Sequence, residues 1–167
     1  MKGIPYLIKA IALVDCSLPI QFLLIGKDLD TPYVKKLLKN NPNRDKIHFT
    51  GFRSDALSLV KASDIFVLPS IKGEATTKAV IEAMSMEVCP VITDIPGNRE
   101  LVVHQECGLV VPRKNPAALA EAFRTLCKDE EKRKKFGINA RLHIEQRFNL
   151  NDSVERMFAV YRDIYHN

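Results

Sequence analysis

Apolar residues along this chain change their spacing repeatedly, and each change marks a new element. Ile4, Leu7, Ile8, Ile11 and Val14 recur every three or four positions, which is one stripe of a helix. Gln21 to Gly26 is a short, nearly continuous apolar run and predicts a strand buried on both faces. Thr31 to Lys39 returns to helical spacing, with Pro32 suited to a first turn. Lys46 to Thr50 predicts a strand closed by Gly51, and Ser54 to Ala62 a helix with Ser54 as candidate N-cap. Asp64 to Leu68 reads as a strand stopped by Pro69, Thr76 to Met86 as a helix, and Val88 to Thr93 as a strand. Gly108 to Val111 is a further short strand, and Asn115 with Pro116 opens a helix to about Cys127. Two more helices follow, Glu130 to Arg147 and Asn151 to Tyr165.

Strands alternating with helices at this spacing predict an α/β fold, a doubly wound parallel sheet covered on both faces. The last two helices have no strand between them, so they pack outside the alternating unit. Opening on a helix is unusual for such a unit. The expectation is that residues 1–167 form one domain of something longer, missing at least a first strand.

Composition narrows the field. Hydrophobic residues make up 46% and charged residues 27%, a balance that excludes disorder. The longest apolar runs are strand-length, far short of the roughly 20 residues that span a bilayer. Cys16, Cys89, Cys107 and Cys127 fit neither a zinc site nor a redox pair, and read as reduced core or half-buried thiols of a cytoplasmic protein. The net charge of +5 favours anionic partners. With no Trp and no basic–aromatic stripe, nucleic acid is not among them. The run Lys132 to Lys135 reads as a solvated helix face, with a membrane surface as the minority reading.

Ligands of open parallel sheets bind beyond the carboxyl ends of the strands. The loop after Leu68 runs Pro69-Ser70-Ile71-Lys72-Gly73-Glu74-Ala75-Thr76-Thr77 and leads into Lys78 and Glu82. Gly73 permits close backbone approach, and free amides at 75–78 make an anion site at a helix start. Glu74 and Glu82 are eight positions apart, about 12 Å of helical rise. One carboxylate would thus flank each side of a diphosphate, and carboxylates accept from sugar and ribose hydroxyls.

Taken in order, several stretches carry a resemblance. They are Lys2-Gly3 before a helical stripe, Phe22 to Gly26, His48 to Gly51 and Asp64 to Ser70. Glu74 with Glu82-Ala83-Met84 follows, then Pro90 to Asp94, Pro96 to Val102 and Gly108 to Pro112. Over almost its whole length the chain resembles the carboxy-terminal, donor-binding domain of family 4 glycosyltransferases with the GT-B fold. The resemblance implies a Rossmann-like half with extra C-terminal helices. Residues from about 149 to 167 would return as a helix towards an absent N-terminal acceptor domain.

The function it implies is retaining transfer of a hexosyl or N-acetylhexosaminyl group from a UDP- or GDP-linked sugar. The acceptor would be a glycan or lipid-linked glycan, in surface polysaccharide or glycolipid biosynthesis, and this fragment would be inactive alone. Carried over residue by residue, Glu74, Ala75, Thr76 and Thr77 would bind the donor sugar. Lys2 and Lys78 would bind the diphosphate, Glu82 the ribose, and Gly51, Phe52 and Arg53 the base. No catalytic residue is assigned. No cofactor is implied, and a metal held by an Asp-x-Asp motif is usually not needed in that family. The expected place is the cytoplasm, with peripheral contact on the inner face of the membrane. Ala75-Thr76-Thr77 depart from the family's frequent Gly-Phe-Gly or Gly-Leu-Pro, and Glu87-Val88-Cys89 replaces a usual glycine. Rival readings are a non-catalytic sugar-nucleotide binding module and a GT-B UDP-sugar epimerase.

Overall fold

A computed structural model describes residues 2–72 and 78–165. The chain runs α1 (Ile4–Ile11), β1 (Phe22–Ile25), α2 (Pro32–Leu38), β2 (Ile47–Gly51), α3 (Ala56–Lys61), β3 (Ile65–Leu68) and α4 (Lys78–Ser85). It continues with β4 (Cys89–Thr93), α5 (Asn98–Leu101), β5 (Leu109–Val111), α6 (Pro116–Lys128), α7 (Glu130–Arg147) and α8 (Leu150–Tyr165). Every strand expected from hydrophobic spacing is present within a residue or two. The fold is α/β with parallel strands, as anticipated.

The strands fall into two sheets. β1 pairs with β2, Phe22 opposite Ile47 and Leu24 opposite Phe49. β3, β4 and β5 form the other, with Leu68 opposite Ile92 and Thr93 opposite Val111. No described strand joins β1 to β3. A shared core bridges the two: Ile8 and Ile11 of α1, Phe22 and Leu24 of β1, Val91 of β4 and Phe123 of α6 belong to one buried cluster.

Helix ends follow their side chains. Thr31 caps α2 by accepting from the Val34 amide at 3.3 Å, and Asn115 caps α6 by accepting from Ala118 at 3.0 Å. Ser54 does not cap α3; that helix starts one residue later, after Asp55, whose side chain makes no capping bond. Asp55 is instead engaged by Arg53. The last carbonyls of α1 are closed from a distance. Buried Asn41 donates to Ile8 O at 2.9 Å, and buried Asn43 to Ile11 O and Val14 O, both at 2.8 Å.

α7 lies against the turn between α4 and β4. Gly137 sits so close to the Glu87 carbonyl that no Cβ would fit between them. Glu87 itself holds φ +62°, a left-handed conformation that favours glycine. Within the basic run of α7, Arg133 departs from the solvated reading. Its side chain is largely buried, donates to Leu126 O at 2.7 Å and pairs with Asp64 at 3.3 Å. The cysteines divide likewise: Cys89 and Cys107 are buried and Cys127 is half-buried, whereas Cys16 is exposed. No described helix is long and apolar enough to cross a membrane.

Candidate functional site

The described residues singled out by sequence fall into three groups, one on α4 after β3, one at the chain's first residues beside the end of β3, and one after β2. β3 leads towards α4, whose first described residue is Lys78 and which carries Glu82 one turn on. Their side chains form an ion pair at 3.3 Å. Glu82 is 29% exposed at its side chain and Lys78 is 89% exposed. Such an open pair holds little energy, so either group is free to turn to a ligand at small cost. Glu74, Ala75, Thr76 and Thr77 lie outside the described residues.

Lys2 is brought to the same edge by the residue after it. Gly3 has φ +52° and touches the backbone of Pro69 at the end of β3. A Cβ there would stand 2.9 Å from the Pro69 carbonyl carbon and closer still to its oxygen, so only glycine allows the approach. Lys2 is exposed beside this contact.

The third group closes β2. Gly51, with φ +67°, accepts from the Gly26 amide at 2.9 Å, which ties the turn after β2 to the turn after β1. Phe52 is 71% exposed, and Lys27 from the β1 turn stands over its ring at 5.2 Å. Arg53 makes a two-pronged bond to Asp55, 2.7 Å from Nε and 2.6 Å from Nη2. That pairing raises the Arg53 pKa and holds the Asp55 carboxyl below its usual range. The two-pronged bond fixes the direction of the guanidinium.

Several residues here escaped the sequence reading. Thr93, at the end of β4, is 1% exposed and donates to Ser70 O at 2.6 Å. Asn98, at the start of α5 and equally buried, donates to Thr93 O at 2.9 Å. Asp94 beside them is bonded in two prongs by Arg99, which holds its carboxyl below the usual range. Thr93 and Asn98 lie in stretches that carry the family resemblance, Pro90 to Asp94 and Pro96 to Val102, but were given no role; Lys27 offered no signal. Asp28-Leu29-Asp30 has Asp-x-Asp spacing after β1. Asp30, however, is held by Lys35 at 3.1 Å, and among the described residues no group of three or more His, Cys, Asp or Glu is placed to hold a metal.

Glycine turns, exposed lysines and a half-buried carboxylate thus lie in the segments that follow β2 and β3 of a parallel α/β fold. The chain belongs to the glycosyl transferases group 1 family, whose model matches residues 1–143. It is 29% identical to the alpha-D-kanosaminyltransferase of Streptomyces kanamyceticus over 98% of this chain and 43% of that protein. It is 30% identical to the capsular polysaccharide biosynthesis glycosyltransferase CapM of Staphylococcus aureus, over 96% of this chain and 42% of that one. The chain thus spans under half the length of these relatives. Among solved structures it is similar to Anabaena HepE in complex with UDP-glucose, at 25% identity and a TM-score of 0.85, covering 97% of this chain and 45% of that one. The GT-B expectation for the fold is met, and so is the family resemblance.

Proposed function

We propose that this chain is the donor-binding half of a retaining glycosyltransferase that moves a hexosyl or N-acetylhexosaminyl group from a UDP- or GDP-linked sugar. The observation that carries this reading is Glu82: a half-buried carboxylate one turn into α4, beside Lys78, on the helix that follows β3. There it accepts from the ribose hydroxyls, and Lys78, released from the pair, turns to the diphosphate. Lys2, delivered by Gly3 to the end of β3, adds a second positive charge. Phe52 offers its open ring to the base, with Lys27 over that ring and Gly51 and Arg53 adjacent in the same turn. Glu74 and the residues Ala75 to Thr77 receive the transferred sugar. The HepE complex with UDP-glucose supports donor binding at a fold of this kind.

The chain lowers the barrier by stabilising charge on the departing diphosphate. Lysine cations supply that charge, so no metal or other cofactor enters the scheme. We assign no catalytic side chain within this chain. The acceptor is a glycan or lipid-linked glycan of surface polysaccharide or glycolipid synthesis, a reading supported by the similarity to CapM. It is held by an N-terminal domain outside this chain, so the chain alone binds donor without turnover. Exposed Met157, Phe158, Tyr161 and Ile164 on α8 supply the apolar surface that returns towards that domain. We place the protein in the cytoplasm. The positive balance of the chain supports peripheral contact with the anionic inner face of the membrane.

Titration calorimetry with UDP and GDP tests the reading. One of the two binds the parent chain, and Glu82→Ala weakens it about 10- to 100-fold, the worth of hydrogen bonds to a charged acceptor. Absence of binding by both at millimolar concentration, or an unaltered Kd in Glu82→Ala, refutes it.

A further inference from the structure

We propose that Lys27 selects the base of the donor, favouring uracil and guanine over cytosine and adenine; the proposal rests on the donor reading above. Two turns meet where that base is read. The Gly26 amide donates to Gly51 O at 2.9 Å, so the turn that carries Lys27 is tied to the turn that carries Phe52. An open cavity of about 470 Å³ lies at the second turn, lined by Phe52, Arg53, Ser54 and Asp55. That volume falls within the range of small-ligand sites. Phe52 is 71% exposed, and among the described residues no aromatic ring packs on it. Stacking on an aromatic ring is open to any base, since every base has a π-face. Phe52 therefore holds a base without choosing one.

The choice falls to the polar groups around the ring. Lys27 Nζ stands 5.2 Å from the ring centroid, and among the described residues Lys27 has no ion pair. A base stacked on that face displaces the ammonium to the rim of the base, a move that the flexible four-carbon stem permits. An ammonium has donors and no acceptor. Arg53 is likewise a donor only, and it engages both oxygens of Asp55, the one carboxylate in the cavity lining. Ser54 can donate or accept and so favours neither kind of base. The keto oxygens of uracil and guanine accept at the position where the amino groups of cytosine and adenine donate. A keto base thus completes a charged hydrogen bond with Lys27, whereas an amino base sets donor against donor.

Calorimetry of the parent chain and two variants with UDP, CDP, GDP and ADP tests this. Lys27 is exposed, so neither variant disturbs the core. In the ring size that the parent accepts, pyrimidine or purine, the keto base binds about tenfold tighter than the amino base, the worth of one hydrogen bond from a charged donor. Lys27→Met keeps most of the stem and removes the donors. It weakens the keto base about tenfold and leaves the amino base near its parent value, so the ratio falls to about one. Lys27→Arg keeps donors and retains the preference. A parent chain without keto preference, or a preference that survives in Lys27→Met, overturns the proposal. So does equal loss of keto and amino bases in Lys27→Met, which would assign Lys27 to the phosphates that all four ligands share. The donor reading fails separately: in that case the parent chain binds none of the four.

Discussion

Gly137→Ala sets two well-known effects against each other at the joint that fixes α4. Helix propensity alone predicts a gain, because alanine is about 1 kcal/mol better than glycine inside a helix. The structure predicts a loss. A Cβ at this position would stand 2.8 Å from the Glu87 carbonyl carbon and nearer to its oxygen. Ordinary carbon contacts lie at about 3.5–4.0 Å, so α7 must retreat by about 1 Å. It cannot retreat freely, because Phe136, Ala140 and Ile144 on the same helix are buried. Overpacking of this kind costs about 1–3 kcal/mol, and contact with backbone, which has no rotamer to yield, places it at the upper end. Subtracting the propensity gain leaves a net loss of about 2 kcal/mol. For a chain of this size that lowers Tm by about 4–8 °C. A thermal melt followed by circular dichroism reads it directly. An unchanged or raised Tm would show that the contact yields easily and that the joint is not tight.

Two other outcomes follow from positions nearby. Glu87→Gly removes a left-handed residue whose strain is about 1–2 kcal/mol, at the cost of an exposed pair with Arg141 worth at most about 1 kcal/mol. A small rise in the urea midpoint is expected, and a fall would show that the Arg141 pair matters more than the backbone. Burial pushes the Cys89 thiol up to about 12, so at pH 8 it stays protonated and unreactive while exposed Cys16 alkylates. Mass spectrometry after iodoacetamide should find Cys16 labelled first; equal labelling of Cys89 would mean that the core around β4 opens readily.

The strands were legible because a buried parallel strand must be apolar on both faces, and runs such as Ile65 to Leu68 leave no other reading. The helices Asn115 and Thr31 cap were legible for the same local reason. The single turn of α5 was not, since four residues carry no period to detect. Ser54 was read as a cap because it is the right residue type. The choice of Asp55 instead follows from the course of the chain after Gly51, which local sequence does not record. In the site, Glu82 and Lys78 could be found because motif spacing alone places them on one helix. Lys27 over Phe52, and Thr93 on Ser70, join residues more than twenty positions apart. Contacts of that kind depend on which strands become neighbours, and no periodicity encodes it.

The separation of β1–β2 from β3–β5 leaves β1 and β3, among the described residues, each paired on one side only, with Leu23 of β1 about half exposed. Unpaired strand edges are templates for intermolecular pairing, and natural sheets guard them with charges, prolines or bulges. Neither Phe22–Ile25 nor Ile65–Leu68 contains a charge or a proline. Purified by itself and concentrated, the chain therefore carries a built-in tendency to self-associate, edge against edge. An oligomer seen in such a preparation reports on this tendency first, and becomes evidence for a biological assembly only after charged substitutions along β1 and β3 fail to disperse it.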